Sequence, residues 1–320
     1  MNVSREPNPL ELVVRRRTML TDDVLALDLG SPSGAALPAW TPGAHVDLEL
    51  PNGLTRQYSL CGDPSDRSSW RVGVLRDPNS RGGSDYVHDK LHEGDLVAVG
   101  GPRNHFPLEP SPSYLFLAGG IGITPLIPMI AAAESTGATW ELHYGGRTRA
   151  AMAFRTDLLE LGTGRVVLHP QDEVGLMDLD SILGPIWPDT LVYCCGPEPL
   201  IARAEQCCSA WPAGSLHLER FAPKEVGAPV RTDAFEVELA RTGTTVMVPA
   251  EKSILEAVEE VGVPVLSSCQ EGTCGTCETA VLAGEVDHRD SLLTQEEQDA
   301  HNTMLICVSR AAGSKLVLDL

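Results

Sequence analysis

The sequence predicts a multidomain chain in which an antiparallel β-barrel is followed by an α/β domain with a parallel sheet and then by a small α+β domain. Short segments rich in Val and Leu recur about every ten residues over the first hundred positions, a spacing typical of antiparallel barrels and sandwiches. From residue 114 onward, segments of strand length alternate with segments of helix length, as in a parallel sheet with crossover connections. Four of the nine cysteines lie after position 260.

Length and charge limit the possibilities. The chain has 320 residues, which at roughly 100–200 residues per domain allows about two or three domains with their own cores. It carries 24 basic and 44 acidic side chains, a net charge of −20. This acidity excludes nucleic acid as a partner, because phosphate binding needs a basic surface. Residues 233–320 hold −11 of that charge, so the acidity is concentrated in the last domain.

The first domain is predicted over residues 1–109. Each of its strands is short and bounded by Gly, Pro, Asn or Asp, which favour turns. One helix is predicted at residues 83–91, ahead of the turn at residues 93–95. The predicted strands are residues 10–16, 24–29, 45–50, 56–60, 70–74 and 95–99.

The second domain is predicted over residues 110–225. Residues 114–133 contain no charge and are about long enough to cross a bilayer. The glycines and prolines within them favour a buried strand, a turn and a helix instead, so no membrane span is predicted. The predicted strands are residues 115–118, 139–144, 165–168 and 191–194, and the predicted helices are residues 124–134, 154–161 and 199–210.

A linker is predicted over residues 226–232, where Pro, Gly and Ala accumulate, and a third domain over residues 233–320. Two strands, at residues 234–240 and 244–248, are expected to form a hairpin. A helix at residues 253–261 should begin after Ser253, a residue that favours the N-cap position. A cysteine loop and a few strands, the last at residues 316–318, complete the domain.

The cysteines of this third domain are the strongest chemical signal. Three of them follow the spacing C-x4-C-x2-C, and the fourth comes after 29 intervening residues, as in plant-type iron–sulfur domains. Structural zinc sites usually pair their ligands two and two, so a [2Fe-2S] cluster is favoured, with zinc or free thiols as alternatives. Gly272 and Gly275 let backbone N–H groups turn toward the sulfurs. The predicted ligands are Cys269, Cys274, Cys277 and Cys307.

A glycine-rich turn indicates a nucleotide site in the second domain. Gly119, Gly120 and Gly122 follow an apolar strand and precede a predicted helix, which would let a pyrophosphate approach the helix N-terminus. The turn alone is weak evidence. Later strands also end in small residues, at Gly145-Gly146 and at Cys195-Gly196-Pro197. Three such strand ends would line one crevice, where open α/β sheets bind ligands.

Two segments of the barrel carry groups suited to a flavin or a phosphate. Arg56, Tyr58 and Ser59 offer a cation, a ring and a hydroxyl within one segment. Residues 81–84, Arg-Gly-Gly-Ser, open a predicted helix, whose N-terminus attracts anions. Taken alone, residues 56–60 are better explained as an ordinary amphipathic strand, and residues 81–84 are equally compatible with a surface turn.

In this order along one chain, the segments resemble the phthalate dioxygenase reductase family, the reductase components of Rieske oxygenase systems, to which vanillate demethylase reductases belong. The resemblance covers nearly all of the chain and rests on residues 56–60, 81–84, 119–125 and 195–197 and the four C-terminal cysteines. It implies a flavin-binding barrel, a domain that binds NADH and a β-grasp plant-type ferredoxin domain. Members with the ferredoxin domain at the C-terminus usually bind FMN.

The resemblance also implies residue roles. Plain core packing remains the alternative for Cys195 and Phe221. Residues implied to hold FMN are Arg56, Gln57, Tyr58, Ser59 and Val74, with its phosphate at Arg81, Gly82, Gly83 and Ser84. Residues implied at the nicotinamide nucleotide are Gly119, Gly120, Gly122, Thr124, Cys195, Gly196 and Pro197, with Arg147 and Asp172 at its adenosine half. The implied residues of the hydride-transfer site are Thr124, Cys195 and Glu219, with Phe221 over the flavin until nicotinamide displaces it.

The implied function is an NADH-dependent reductase that passes hydride to FMN and then single electrons through the cluster to a terminal oxygenase, foremost a Rieske-type aromatic oxygenase or demethylase. The alternatives are a P450 or other monooxygenase as acceptor, an electron-carrier subunit that oxidises no NADH, and a zinc-stabilised binding module. The oxygenase is expected to dock on the acidic ferredoxin domain. A cytoplasmic monomer is expected, because the first residues lack a secretory signal and an odd number of cysteines is typical of a reducing compartment.

Overall fold

The computed structural model describes residues 9–78, 81–160, 164–224 and 226–320. The chain forms two compact units, one ending at Phe221 and the other beginning at Ala222. The first unit contains an antiparallel and a parallel sheet, and the second contains a mixed sheet and the cysteine loop. The predicted fold class is confirmed. The boundary at residues 109/110 and the linker at residues 226–232 stay predictions.

The first sheet is a six-stranded barrel with strand order β4-β3-β6-β1-β2-β5. An antiparallel bridge between Leu60 and Val72 connects its two edge strands, which removes the open edges of the sheet. Aliphatic side chains and the fully buried Trp70 fill the interior. Its elements are β1 (Leu10–Met19), β2 (Val24–Gly30), β3 (His45–Glu49), β4 (Thr55–Ser59), β5 (Trp70–Leu75), α1 (Gly83–Lys90) and β6 (Leu96–Arg103).

Strand β1 extends beyond its predicted end at residue 16. The register against β2 shifts between Val14 and Arg16, as expected of a β-bulge. The strand therefore continues through a run of arginines where the alternation of apolar side chains has already stopped. A prediction based on that alternation therefore places the end of β1 too early.

The second sheet has five parallel strands in the order β11-β10-β7-β8-β9. Strands β7 and β10 are neighbours, so the chain turns to opposite sides of the sheet from their carboxyl ends, which makes a topological switch point. Its elements are β7 (Ser113–Gly119), α2 (Leu126–Thr136), β8 (Thr139–Gly146), α3 (Arg155–Leu159), β9 (Arg165–Pro170), α4 (Gln171–Val174), α5 (Leu179–Leu183), β10 (Thr190–Cys195), α6 (Glu198–Cys207) and β11 (Leu216–Glu219).

Two elements of this domain differ from the prediction. Helix α3 is shorter than the predicted helix at residues 154–161, whose last residue, Leu161, lies outside the described residues. Strand β11 was not predicted, because its four residues are too few to give a periodic signal. The uncharged stretch 114–133 holds most of β7 and α2 with a 3-10 turn, Gly120–Ile123, between them.

No helix in the described part of the chain combines the length and the apolar composition needed to cross a bilayer.

The second unit has a five-stranded sheet in the order β13-β12-β18-β14-β16, with β12 and β18 parallel. Ser253 caps helix α7 as predicted, and Glu256 completes a capping box. Its elements are β12 (Phe235–Leu239), β13 (Thr244–Val248), α7 (Ile254–Glu260), β14 (Glu278–Ala283), β15 (Val286–Asp287), α8 (Gln295–Ala300), β16 (Thr303–Leu305), β17 (Arg310–Ala311) and β18 (Lys315–Leu318).

Residues at and just before the predicted linker are hydrogen-bonded to this second unit. Three of the partners lie in residues 287–291, at the end of β15 and in the loop after it, and this loop also reaches the cysteine loop through a bond from the Ser291 N–H to the Gly272 carbonyl (2.9 Å). The segment is therefore part of the fold of this unit. The bonds are Lys224 N–H to Ser291 Oγ (2.7 Å), Arg289 guanidinium to Gly227 carbonyl (2.6 Å) and Val230 N–H to Asp287 Oδ2 (3.0 Å).

A buried ion pair lies in the barrel. The Arg103 guanidinium lies 2.5 Å from Asp47 Oδ2, and the two side chains are 13% and 7% exposed. Gln57 donates a hydrogen bond of 3.0 Å to the other carboxylate oxygen. Asp47 therefore joins β3, β4 and β6 through charge and hydrogen bonding.

We expect Asp47→Ala to lower the free energy of unfolding of the barrel by about 3–5 kcal/mol, because it removes a carboxylate from a buried guanidinium. Denaturant titration followed by circular dichroism measures the change. The control is Asp89→Asn, which breaks the exposed pair with Arg76 and should cost less than about 1 kcal/mol. Equal losses for the two variants would contradict the assignment of Asp47 as a buried anchor.

Candidate functional site

The predicted nucleotide site lies at the switch point of the parallel sheet. In the register of β7 and β10, Ala118 is paired with Cys195, so the turn at residues 119–123 and the turn at residues 195–197 leave the sheet side by side. Open α/β sheets bind ligands in the crevice formed at such a point. The structure thus brings together the two glycine-bearing segments that the sequence singled out.

The three glycines of the first turn serve different purposes. A Cβ atom at Gly122 would lie 2.3 Å from the Cys195 carbonyl oxygen, and one at Gly119 would lie 2.6 Å from Cδ of Pro197. Both glycines therefore let the two turns touch. Gly120 has a φ of +54° with open space where a Cβ would stand, so it is the one that leaves room for a ligand.

Thr124 lies where this turn meets the barrel. It is fully buried, and its hydroxyl donates a hydrogen bond of 2.9 Å to the Ile121 carbonyl. A Cβ atom at Gly73 would lie 2.9 Å from its methyl carbon. Gly73 precedes Val74 on β5, so Thr124 packs against the strand that carries the predicted flavin residue Val74. Gly73 was not among the site residues predicted from the sequence, although a glycine inside a strand is a signal for a close backbone approach.

Cys195 and Glu219 end the neighbouring strands β10 and β11. The Cys195 thiol donates to Glu219 Oε2 at 3.9 Å. Burial raises the pKa of Glu219 to about 8. Burial, with the nearby Glu219 carboxyl, raises the pKa of Cys195 well above its ordinary value. Both groups therefore hold their protons near neutral pH, and the predicted pair lies together.

A phosphate cradle forms at the N-terminus of α1. Gly82 caps the helix with a φ of 92°, and a Cβ atom at Gly83 would lie 2.5 Å from Nε of Arg56. The guanidinium of Arg56 therefore lies directly above the first turn of the helix. Ser84 Oγ accepts a hydrogen bond of 3.2 Å from the Asp77 N–H. A cation above a helix N-terminus is the donor set that a phosphate monoester needs, so these residues fit FMN.

The remaining predicted flavin residues lie along β4 and β5. Burial raises the pKa of Tyr58, and its ring packs against the barrel core. Ser59 is buried, and the Val74 carbonyl is 3.0 Å from Nε2 of His88 on α1. Gln57 is bound to Asp47, as described above. Arg81 is exposed just before α1, next to the cradle.

The two residues predicted for the adenosine half also lie close to each other. The Asp172 N–H donates to the Arg147 carbonyl at 3.2 Å. The Arg147 side chain is exposed, with its guanidinium 3.8 Å from Asp23 Oδ2. A second basic residue nearby, Arg149, lies 2.6 Å from Glu173 Oε2. Phe221 comes two residues after Glu219 and is 45% exposed.

The cysteine loop has the backbone shape of a site for sulfur-bound metal. Left-handed residues, with φ of 55° at Gln270 and 73° at Gly272, turn the backbone around Cys269. The Glu271 N–H lies 3.3 Å from the Cys269 sulfur. Gly275, with φ of 72°, also turns the backbone in the left-handed sense further along the loop. Such N–H donors stabilise the negative charge of bound thiolates.

The four sulfurs are near one another. Hydrogen bonds from the Cys274 and Cys307 thiols lower the pKa of Cys269, and a bond shared with Cys307 lowers that of Cys277. In the described part of the chain, no three Cys, His, Asp or Glu side chains are arranged around a point suited to a single ion. Four soft donors in one loop and one distant turn fit an iron–sulfur cluster.

Comparison with known proteins identifies relatives of the whole chain. A family model described as a 2Fe-2S iron-sulfur cluster binding domain matches residues 237–312, which include all four of these cysteines. Phenoxybenzoate dioxygenase subunit beta of Ectopseudomonas oleovorans is 44% identical over 322 residues, covering 100% of both chains. The cluster-binding family supports [2Fe-2S] over the zinc alternative.

Solved structures share the fold. The structure of phthalate dioxygenase reductase, described as modular for electron transfer from pyridine nucleotides to [2Fe-2S], is 38% identical with a TM-score of 0.71 over 98% of each chain. An intact type IV self-sufficient cytochrome P450 monooxygenase is 42% identical with a TM-score of 0.91, over 98% of this chain and 41% of that one.

We expect Glu219 to make stability depend on pH. A carboxyl group with a pKa raised from 4.5 to about 8 keeps its proton in the folded protein over that range and loses it on unfolding. The free energy of unfolding should therefore fall as pH rises from about 4.5 to 8. Denaturant titrations at several pH values should show a shallower fall for Glu219→Gln. Glu160→Gln, at an exposed position, is the control, and an unchanged slope in Glu219→Gln would contradict the raised pKa.

Proposed function

The chain belongs to the phthalate dioxygenase reductase family, and we propose that its terminal electron acceptor is a Rieske-type aromatic oxygenase or demethylase. It is an NADH-dependent reductase component of an oxygenase system, and its cofactors are FMN, NADH and a [2Fe-2S] cluster. When bound, FMN accepts hydride from NADH and releases electrons singly, and the cluster carries them to the partner. The observation that carries the proposal is the full-length likeness to phenoxybenzoate dioxygenase subunit beta and to phthalate dioxygenase reductase.

The barrel residues would hold FMN by its phosphate and by its ring. Arg56 and the amides at the start of α1 would bind the phosphate, with Gly83 leaving the space that the Arg56 side chain occupies beside the helix. Tyr58 would lie against the ring and Ser59 near its polar edge. The helix dipole and the guanidinium act together on a dianionic phosphate, and Gln57, Val74, Arg81, Gly82 and Ser84 would shape the rest of the site.

The switch-point residues would position the nicotinamide. Gly120 would admit the pyrophosphate, and Arg147 and Asp172 would meet the adenosine half. Cys195 and Glu219 would border the position of hydride transfer as neutral groups, because both hold their protons near neutral pH. Thr124 would contact both rings, and Phe221 would cover the flavin until nicotinamide displaces it.

The acidic second unit would present the cluster to the oxygenase. Residues 233–320 carry a net charge of −11, and complementary charge speeds protein association. A basic patch on the partner is the matching surface. We also propose that the protein acts as a monomer in the cytoplasm, where a reducing environment would keep the five cysteines outside the cluster as thiols.

A P450 is the second candidate acceptor. The likeness to a self-sufficient P450 monooxygenase extends over 98% of this chain, so the same reductase architecture is used with haem partners. Electron delivery to candidate oxygenases of both classes would distinguish them.

We expect the purified protein to contain equal amounts of FMN and two-iron cluster, and NADH to bleach both in stopped-flow measurements. Cys307→Ser should lose the iron–sulfur absorption bands and keep the flavin and its bleaching by NADH, because one thiolate ligand is missing from the cluster. Cys207→Ser, which removes a cysteine outside the loop, is the control. Released FAD, or a flavin that NADH leaves oxidised, would refute the proposal.

We expect reduction of cytochrome c, a basic electron acceptor, to slow as salt rises, since the screening length falls from about 30 Å at 0.01 M to about 8 Å at 0.15 M. Neutralising Glu259 and Glu296 of the second unit to Gln should weaken this dependence. The control, Asp157→Asn with Glu160→Gln in the first unit, removes the same charge. If both double variants lowered the salt dependence equally, docking on the second unit would be wrong.

A further inference from the structure

Arg220 makes a buried clamp between the end of β11 and helix α6. Its side chain is only 9% exposed, with Nε 3.0 Å from Glu198 Oε2 and a terminal nitrogen 2.8 Å from Glu205 Oε2. The two glutamates are seven residues apart, so they lie on one face of the helix. Burial alone would lower the pKa of Arg220, but its hydrogen bonds to the glutamates outweigh this and raise it. The guanidinium is therefore firmly charged and held at two points.

This clamp lies between two residues of the proposed active site. Glu219 faces Cys195 at the end of β10, and Phe221 follows Arg220 directly. The backbone at residues 219–221 is therefore fixed on one side by the Cys195 contact and on the other by α6. The same helix also carries Arg203, whose pair with Asp180 has side chains 46% and 68% exposed. Exposed ion pairs of that kind contribute little to stability, whereas a buried arginine bound to two carboxylates has a specific geometry.

Phe221 has little packing of its own to hold it. It is 45% exposed and belongs to none of the hydrophobic clusters among the described residues. A phenyl group offers no hydrogen bond, so its position must come from its backbone. Arg220 is the neighbouring side chain that fixes this backbone to a helix.

We propose that Arg220 is a positioning residue that places Phe221 over the flavin, an inference that rests on the proposed role of Phe221. A ring held only through its backbone can rotate away about its side-chain bonds when nicotinamide arrives and return afterwards. Glu198 and Glu205 share this role, because they hold the guanidinium. A purely structural clamp would instead affect the stability of α6 and leave the flavin face unchanged.

The test is a mutant cycle of Arg220→Gln, Phe221→Ala and the double variant in the FMN-loaded protein. Two readouts report on the flavin face without turnover: flavin fluorescence, which a stacked ring quenches, and the Kd of NAD⁺. We expect both single variants to raise fluorescence and lower the Kd. The double variant should match Phe221→Ala alone, giving non-additivity of roughly 2- to 150-fold in Kd, the range for residues that act together.

Three further variants make the test specific. Arg220→Lys keeps the charge without the two-point geometry and should restore only part of the effect. Glu205→Gln, which changes the clamp without changing residues 219–221, keeps the test valid if Arg220→Gln fails to fold, and it should move both readouts in the same direction. Arg203→Gln, on the same helix, should change neither.

The outcomes distinguish a failure of the role proposed for Arg220 from a failure of the role proposed for Phe221. If Phe221→Ala changes both readouts while Arg220→Gln and Glu205→Gln change neither, the positioning role of Arg220 is wrong and the role of Phe221 stands. Additive effects of Arg220→Gln and Phe221→Ala on Kd would also refute it. If Phe221→Ala leaves both readouts unchanged, the proposed role of Phe221 fails, and that of Arg220 with it.

Discussion

The first unit depends on one close approach of two backbone turns. At the carboxyl ends of β7 and β10, Gly122 is so near the Cys195 carbonyl that no side chain fits between them. This contact fixes the width of the switch-point crevice, because the turns that border it cannot move apart without breaking the packing. It also fixes Thr124, whose methyl group contacts the barrel at Gly73. The position of the nucleotide relative to the barrel therefore follows from the absence of a few Cβ atoms.

Charge has different uses in different parts of the molecule. Inside the first unit, charged groups are few and anchored, as in the Asp47–Arg103 and Arg220–Glu198 pairs. Groups bordering the proposed hydride path, such as Cys195 and Glu219, are kept neutral by burial. The second unit instead carries excess negative charge at its surface, where water screens it and other molecules can meet it.

The elements and site residues that could be predicted are those marked by a pattern within a short stretch of the sequence. Strand alternation located the barrel, and the capping residue Ser253 located α7. The cysteine spacing identified the cluster ligands because loop geometry requires that spacing. Strand β11 and the Arg220 clamp escaped prediction, since a four-residue strand has no measurable period and a clamp between distant segments has no sequence signature. The glycines at the switch point were identified from the sequence. Which of them allow close packing and which leaves open space is set by the neighbouring strand, so it becomes visible only in the structure.

The hydrogen bonds from residues 224–230 to the loop at residues 287–291 matter for exchange of modules between related proteins. The Gly, Ala and Pro of that segment are typical of a flexible connector, so a module junction could be placed within it by mistake. A chimera joined there would leave the donor at Lys224 with one parent and its acceptor at Ser291 with the other. A junction between Phe221 and Ala222, where the compact units divide, transfers the second unit together with these hydrogen bonds. Recombination of such reductases, by evolution or by design, should therefore favour that junction.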